Sequence, residues 1–104
     1  MVLPTLTNDD RTAARHKAIL ARQARSAVRA SLKAGTLTLA QVLDRSDTIV
    51  GRMPVRQLLT ALPGIGQVRA TRSMSALGIP EGRRVQGLGP AQRAKLLEEF
   101  PAAA

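Results

Sequence analysis

An all-α fold is predicted, with a long basic N-terminal helix followed by a compact bundle of short helices. Three observations carry this. Alanines dominate residues 8–34 between a capping residue, Thr7, and a stop, Gly35. Beyond that stretch, apolar residues at helical spacing recur in short runs punctuated by proline and glycine. No segment keeps the two-residue alternation of a half-buried strand.

The first helix is expected over 8–34, about 27 residues and roughly 40 Å long. Thr7 can cap its start, Asp9 and Asp10 complement the positive end of the dipole, and Gly35 supplies a left-handed stop. Ala13, Leu20, Ala24, Ala27 and Ala34 form its apolar face, which is expected to lean on the core. Thr38-Leu39-Ala40-Gln41 then reads as a capping box that opens a short helix toward Asp44 or Arg45, with Leu39, Val42 and Leu43 inward. A loop is expected through Gly51. Pro54 suits a first helical position, and Val55, Leu58, Leu59 and Leu62 give the spacing of a core-facing stripe that stops at Pro63.

The next helix is predicted from Gln67 to Leu77, ended by Gly78 and Pro80, with Val68, Met74 and Leu77 inward and Arg69 and Arg72 exposed. Residues 80–89 read as an ordered loop. Pro90 begins a final helix whose Ala94, Leu96, Leu97 and Phe100 are available for packing. The domain reading is one domain over 1–104, comprising the basic helix at 8–34, a helical module at 38–100 and a flexible tail at 101–104.

Charge narrows the function. The chain carries 16 Lys and Arg against 7 Asp and Glu, a formal net charge of +9 on 104 residues, which points to a polyanionic partner. Arg11, Arg15, Arg22, Arg25, Arg29 and Lys33 fall within an arc of roughly 80° when placed on a helix at about 100° per residue. No carboxylate interrupts them from Arg11 to Ala34. Like-charge pairs one turn apart are each unfavourable by about 0.2–0.5 kcal/mol, so a helix kept only for structure would more readily interleave glutamates. The face opposite the stripe is too small and shallow to sink into a bilayer, and no apolar run reaches the roughly 18 residues of a membrane span. With no cysteine and a single histidine, His16, no metal site of ordinary composition is expected, and no cofactor. The expected location is cytoplasmic.

Leu62-Pro63-Gly64-Ile65-Gly66 is the most informative segment. A small apolar residue between two glycines, entered through proline, permits a tight turn that exposes consecutive backbone N–H groups at a helix start. Such a turn binds phosphate. Arg69 follows on the helix, and Arg83-Arg84-Val85-Gln86 is bracketed by Gly82 and Gly87. Arg52 and Arg56 fit either an extension of this basic surface or an exposed helix face.

The order of basic helix, Leu62-Pro63-Gly64-Ile65-Gly66-Gln67-Val68-Arg69-Ala70, Leu77-Gly78-Ile79 and Arg83-Arg84-Val85-Gln86-Gly87-Leu88-Gly89 resembles the actinobacterial integration host factor family, over nearly the whole chain. The C-terminal half is also similar, more broadly, to the helix-two-turns-helix module of a small-subunit ribosomal protein and of formamidopyrimidine-type DNA glycosylases. The resemblance implies a nucleoid-associated protein that binds double-stranded DNA with little sequence preference, bends or compacts it, and assists site-specific recombination by phage integrases and transcription regulation.

Carried over by position, it implies that Gly64, Ile65 and Gly66 offer amides to phosphates, that Arg69 flanks them, and that Arg83 and Arg84 reach the backbone or minor groove. The sequence departs from the commoner pattern at Gln67 and Gln86, where Lys and Arg are expected, although glutamine keeps a hydrogen-bond donor. Arg52 joins this set. Arg15, Arg22, Arg25, Arg29 and Lys33 are the residues expected to contact a second DNA segment.

Three other function classes fit parts of the sequence: an RNA binder, an enzyme, and an adaptor whose Ala-rich face and Leu59, Leu62 and Leu77 dock onto an integrase or polymerase. Structured RNA or a ribosomal partner is the alternative, but unpaired bases need aromatic platforms, and Phe100, the chain's one aromatic residue, suits core packing. Glycosylase chemistry needs an N-terminal proline amine, whereas residue 2 is Val and Pro4 lies further in. The chain is therefore not expected to be an enzyme. A long helix without sustained leucines at coiled-coil positions makes monomer the expected state.

Overall fold

A computed structural model of the chain describes residues 7–101. Val2, Pro4 and residues 102–104 of the predicted flexible tail at 101–104 lie outside the described residues. Among those described, the elements are α1 (Asn8–Ala34), α2 (Leu39–Leu43), α3 (Thr48–Gly51), α4 (Val55–Thr60), α5 (Gln67–Ala76), a 3-10 turn (Val85–Gly87) and α6 (Pro90–Glu99), with no strand.

Local chemistry sets the ends of α1 as the sequence predicts. Thr7 Oγ1 accepts from the Asp10 N–H at 3.0 Å and Asp10 Oδ2 accepts from the Thr7 N–H at 3.1 Å, a complete capping box. These bonds with Thr7 hold the Asp10 carboxyl below the ordinary carboxylate range. Gly35 closes the helix at φ 79°, its N–H reaching the Leu32 carbonyl.

The packing face of α1 differs from the predicted one. Val28 and Leu32 are its buried residues and rest in the core beside α3, whereas Leu20 is 51% exposed and Ala13, Ala27 and Ala34 are exposed. Ala24 is half-buried. The two large apolar residues near the C-terminal end decide the rotation of the helix, since burying a Val or Leu is worth about 1.5–3 kcal/mol and an alanine methyl far less. As a result the buried edge borders the basic stripe rather than opposing it. Residues 8–20 are exposed all round, so the N-terminal half of α1 overhangs the core.

The short helices enclose that core. Thr38 caps α2 through the predicted box with Gln41, and Leu39, Val42 and Leu43 are buried. The predicted loop through Gly51 contains α3, which the Asp47 carboxylate caps by accepting from the Val50 N–H at 3.3 Å. Its β-branched Ile49 and Val50 lower helix propensity and hide it from a pattern reading. Arg45 clasps the same carboxylate through two bonds, at 2.8 and 3.2 Å, and lowers its pKa. Pro54 stands at the N-cap of α4 rather than at its first helical position, and α4 ends at Thr60, before the predicted stop at Pro63.

In α5 the inward stripe is Ala70, Ser73 and Met74, with Leu77 half-buried at its C-cap, while Val68 is 69% exposed. The i, i+3, i+4, i+7 register therefore starts at Ala70 and not at Val68. Ser73 tolerates burial because its hydroxyl donates to Glu99 Oε1 at 2.8 Å. Pro90 opens α6, in which Leu96 is buried and Leu97 half-buried, whereas Ala94 is exposed. Arg93 donates to the carbonyls of Leu43, Val85 and Leu88, pinning α6 to α2 and to the preceding loop. No described helix is long and apolar enough to cross a membrane.

Candidate nucleic-acid interface

The glycine turn forms as expected. Gly64 adopts φ 75°, a left-handed conformation that a side chain would strain. Gly66 is extended at the N-cap of α5 and carries no side chain to cap the helix. In the turn itself, the Ile65 N–H donates to the Leu62 carbonyl at 3.2 Å. The amides of Gly66, Gln67, Val68 and Arg69 are the four that an α-helix leaves without internal acceptors, and no described protein group accepts from them. Four N–H groups thus converge at a positive helix end on an exposed turn.

The second segment is held by the backbone. Val55 N–H donates to the Arg83 carbonyl and Val85 N–H to the Met53 carbonyl, both at 2.9 Å, and Pro54 and Arg84 form an isolated antiparallel bridge. Arg84 is thereby fixed in backbone and exposed in side chain. Arg83 differs: its Nη1 donates to the Gly87 carbonyl at 2.7 Å, and its side chain is half-buried on its own loop. A Cβ on Gly87 would stand 2.8 Å from Arg83 Cδ, so the bare glycine lets the arginine stem lie flat. Gln86 folds over Gly51, placing Arg52, Arg84 and Gln86 in one neighbourhood.

Arg69 and Gln67 diverge. About 200° apart around α5, they flank the helix start on different sides. The Arg69 guanidinium lies over the Phe100 ring, 5.2 Å from its centroid. Gln67 instead joins Arg56, whose Nη1 donates to Gln67 Oε1 at 2.9 Å and to Thr71 Oγ1 at 2.8 Å, while Nη2 donates to Glu81 Oε2 at 2.6 Å. The hydrogen bond from Arg56 holds the Glu81 carboxyl below its usual range, and Glu81 in turn raises the Arg56 pKa. The three partners of Arg56 lie 11 to 25 residues away, so its role is not visible in the local sequence.

Arg45–Asp47 and Arg56–Glu81 are the ion pairs among the described residues. The other Lys and Arg side chains, including Arg15, Arg22, Arg29 and Lys33 on exposed α1 and half-buried Arg25, keep their charge uncompensated at close range. No group of three or more His, Cys, Asp or Glu among the described residues is placed to hold a metal ion.

Comparison with known proteins agrees in fold and length. Residues 32–100 match the S13-like H2TH domain family. The chain is 47% identical over 105 residues to a Mycobacterium tuberculosis protein named Integration host factor, covering 99% of this chain and 100% of that protein. A Streptomyces coelicolor protein of the same name is 45% identical over 102 residues, covering 96% of this chain and 95% of that protein. A solved structure described as sIHF bound to an 8bp palindromic DNA is similar at TM-score 0.80 and 44% identity, covering 82% of this chain and 98% of that chain.

Proposed function

The chain belongs to the actinobacterial integration host factor family, built on an S13-like H2TH domain, and from that premise we propose a nucleoid-associated protein that binds double-stranded DNA by its backbone, with little sequence preference. The carrying observation is the row of unpartnered amides from Gly66 to Arg69 at a helix start, together with exposed Arg84 on the neighbouring pinned loop. Amides and guanidiniums of this kind fix a protein on phosphates without reading bases. Residual preference for particular sites then comes from groove width and deformability.

Gly64, Ile65, Gly66 and Gln67 supply the turn in this reading, Arg84 and Arg52 the outer charge, and Arg69, Arg83 and Gln86 the flanks. The stripe of Arg15, Arg22, Arg25, Arg29 and Lys33 serves a second backbone segment, which supports bending and compaction and, through an altered DNA path, recombination by phage integrases and regulation of transcription. The protein acts as a monomeric binding protein of the nucleoid, not as an enzyme, with neither metal nor cofactor.

Duplex DNA is favoured over RNA because Phe100 is 7% exposed and its ring is already covered by Arg69, leaving no aromatic platform for unpaired bases among the described residues. Competition tests this directly. Unlabelled duplex DNA should displace a labelled duplex at equal concentration, with double-stranded RNA and single-stranded DNA much weaker. Equal or better displacement by RNA would replace this reading with the ribosome-like one.

A further inference from the structure

We propose that Arg56 is a positioning residue of this interface, coupling the first turn of α5 to the loop that carries Arg84 so that both meet phosphate in one preset register. This inference rests on the duplex-binding reading above. Arg56 stands on α4, whose start is bridged to Arg83–Val85 by backbone hydrogen bonds. From there its guanidinium spans to Gln67 and Thr71 on α5 and to Glu81 at the head of the loop. Three segments are joined by one planar group, which only arginine can provide with this fork of donors.

Both terminal nitrogens of the arginine are engaged within the protein. Its charge is matched by Glu81, and its Nε is buried with no acceptor. A buried N–H left unpaired is uncommon and needs a compensating purpose. An arginine meant to meet phosphate itself would keep its fork outward. Here the fork is spent on fixing neighbours, and loss of such preordering is felt as a cost of ordering on binding.

The test is a charge-neutral double substitution, Arg56→Gln with Glu81→Gln, compared with the unaltered chain for duplex affinity across salt concentrations and for amide hydrogen exchange at Arg83 and Val85, whose N–H groups donate to the Pro80 and Met53 carbonyls. Affinity should fall about tenfold, as expected when a few side chains must be ordered on binding. The salt slope should stay unchanged, because the phosphate contacts in the complex are the same, and exchange at Arg83 and Val85 should quicken. Unchanged affinity in the folded double variant would overturn the proposal, and so would a slope shallower by about 1, which marks a direct phosphate contact. If the double variant does not fold, Thr71→Val, which deletes a single acceptor, decides: a loss of about two- to threefold at constant slope is expected, and no loss refutes it. Absence of duplex binding by the unaltered chain would instead sink the underlying reading.

Discussion

The guanidinium of Arg69 caps the ring of Phe100, 5.2 Å from its centroid, and so joins the start of α5 to the end of α6. The ring is buried among core side chains and accepts the cation on its outer face. Phe100→Ala should lower unfolding free energy by about 3–5 kcal/mol, read by urea denaturation. Phe100→Leu keeps most of the apolar volume and should cost no more than about 1.5 kcal/mol. Equal costs would mean that packing at this site is not what holds α6.

Adjacent arginines on the pinned loop should behave differently. Arg84 is exposed without an acidic partner, so Arg84→Ala should weaken binding by a similar factor on unrelated duplexes and reduce the log-log salt slope by about 1. Arg83 already donates to the Gly87 carbonyl, and Arg83→Ala should cost about 1 kcal/mol of stability with a smaller change in slope. A change of sequence preference in either variant would indicate base contact. Titrations on two duplexes at several salt concentrations separate these outcomes.

The rotation of α1 can be tested by deletion at two leucines. Leu32 is 1% exposed, and Leu32→Ala should destabilise by about 2–5 kcal/mol. Leu20 stands on the overhanging half, and Leu20→Ala should change stability by less than about 0.5 kcal/mol. Reversed magnitudes, measured by thermal or urea unfolding, would restore the alanine face as the packing face.

Acid should destabilise the fold through three carboxylates. Asp10, Asp47 and Glu81 each have pKa values held below the ordinary range by hydrogen bonds, from Thr7, Arg45 and Arg56 respectively. Between the folded and unfolded values the unfolded chain binds more protons, so stability there rises with pH. The contribution is complete above the ordinary carboxylate value of about 4 and is lost as pH falls below it. Melting temperature should therefore be flat from near neutrality down to mildly acidic solution and fall in stronger acid. Replacing Asp10 by Asn should reduce that fall.

How much of this could be read from the chain depends on how local the signal is. The caps at Thr7, Thr38 and Gly35, the glycine turn and the start of α6 at Pro90 are written within a few residues, and each forms as predicted. The helical spacing of large apolar residues is a poor guide where the true inward stripe contains small or polar members. Val68 attracted the register of α5, although Ala70 and Ser73 carry it, the latter only through a bond to Glu99. For α1, the alanines and Leu20 mark one face in the sequence, whereas Val28 and Leu32 are the residues that are buried. Arg56 and Arg93 were illegible for another reason, since their roles depend on partners as far as 25 and 50 residues away. The residues proposed for the interface stand out in the sequence as basic or glycine-rich segments; their division into exposed cations such as Arg84 and internally bonded ones such as Arg83 depends on the fold.

The most direct measurement is the affinity of the purified chain for a short duplex DNA across a series of salt concentrations. If about six phosphates are neutralised, the slope of log affinity against log salt should be near −5, with similar values on unrelated sequences. A flat dependence, or no binding even at low salt, would contradict backbone recognition by the glycine turn and its arginines.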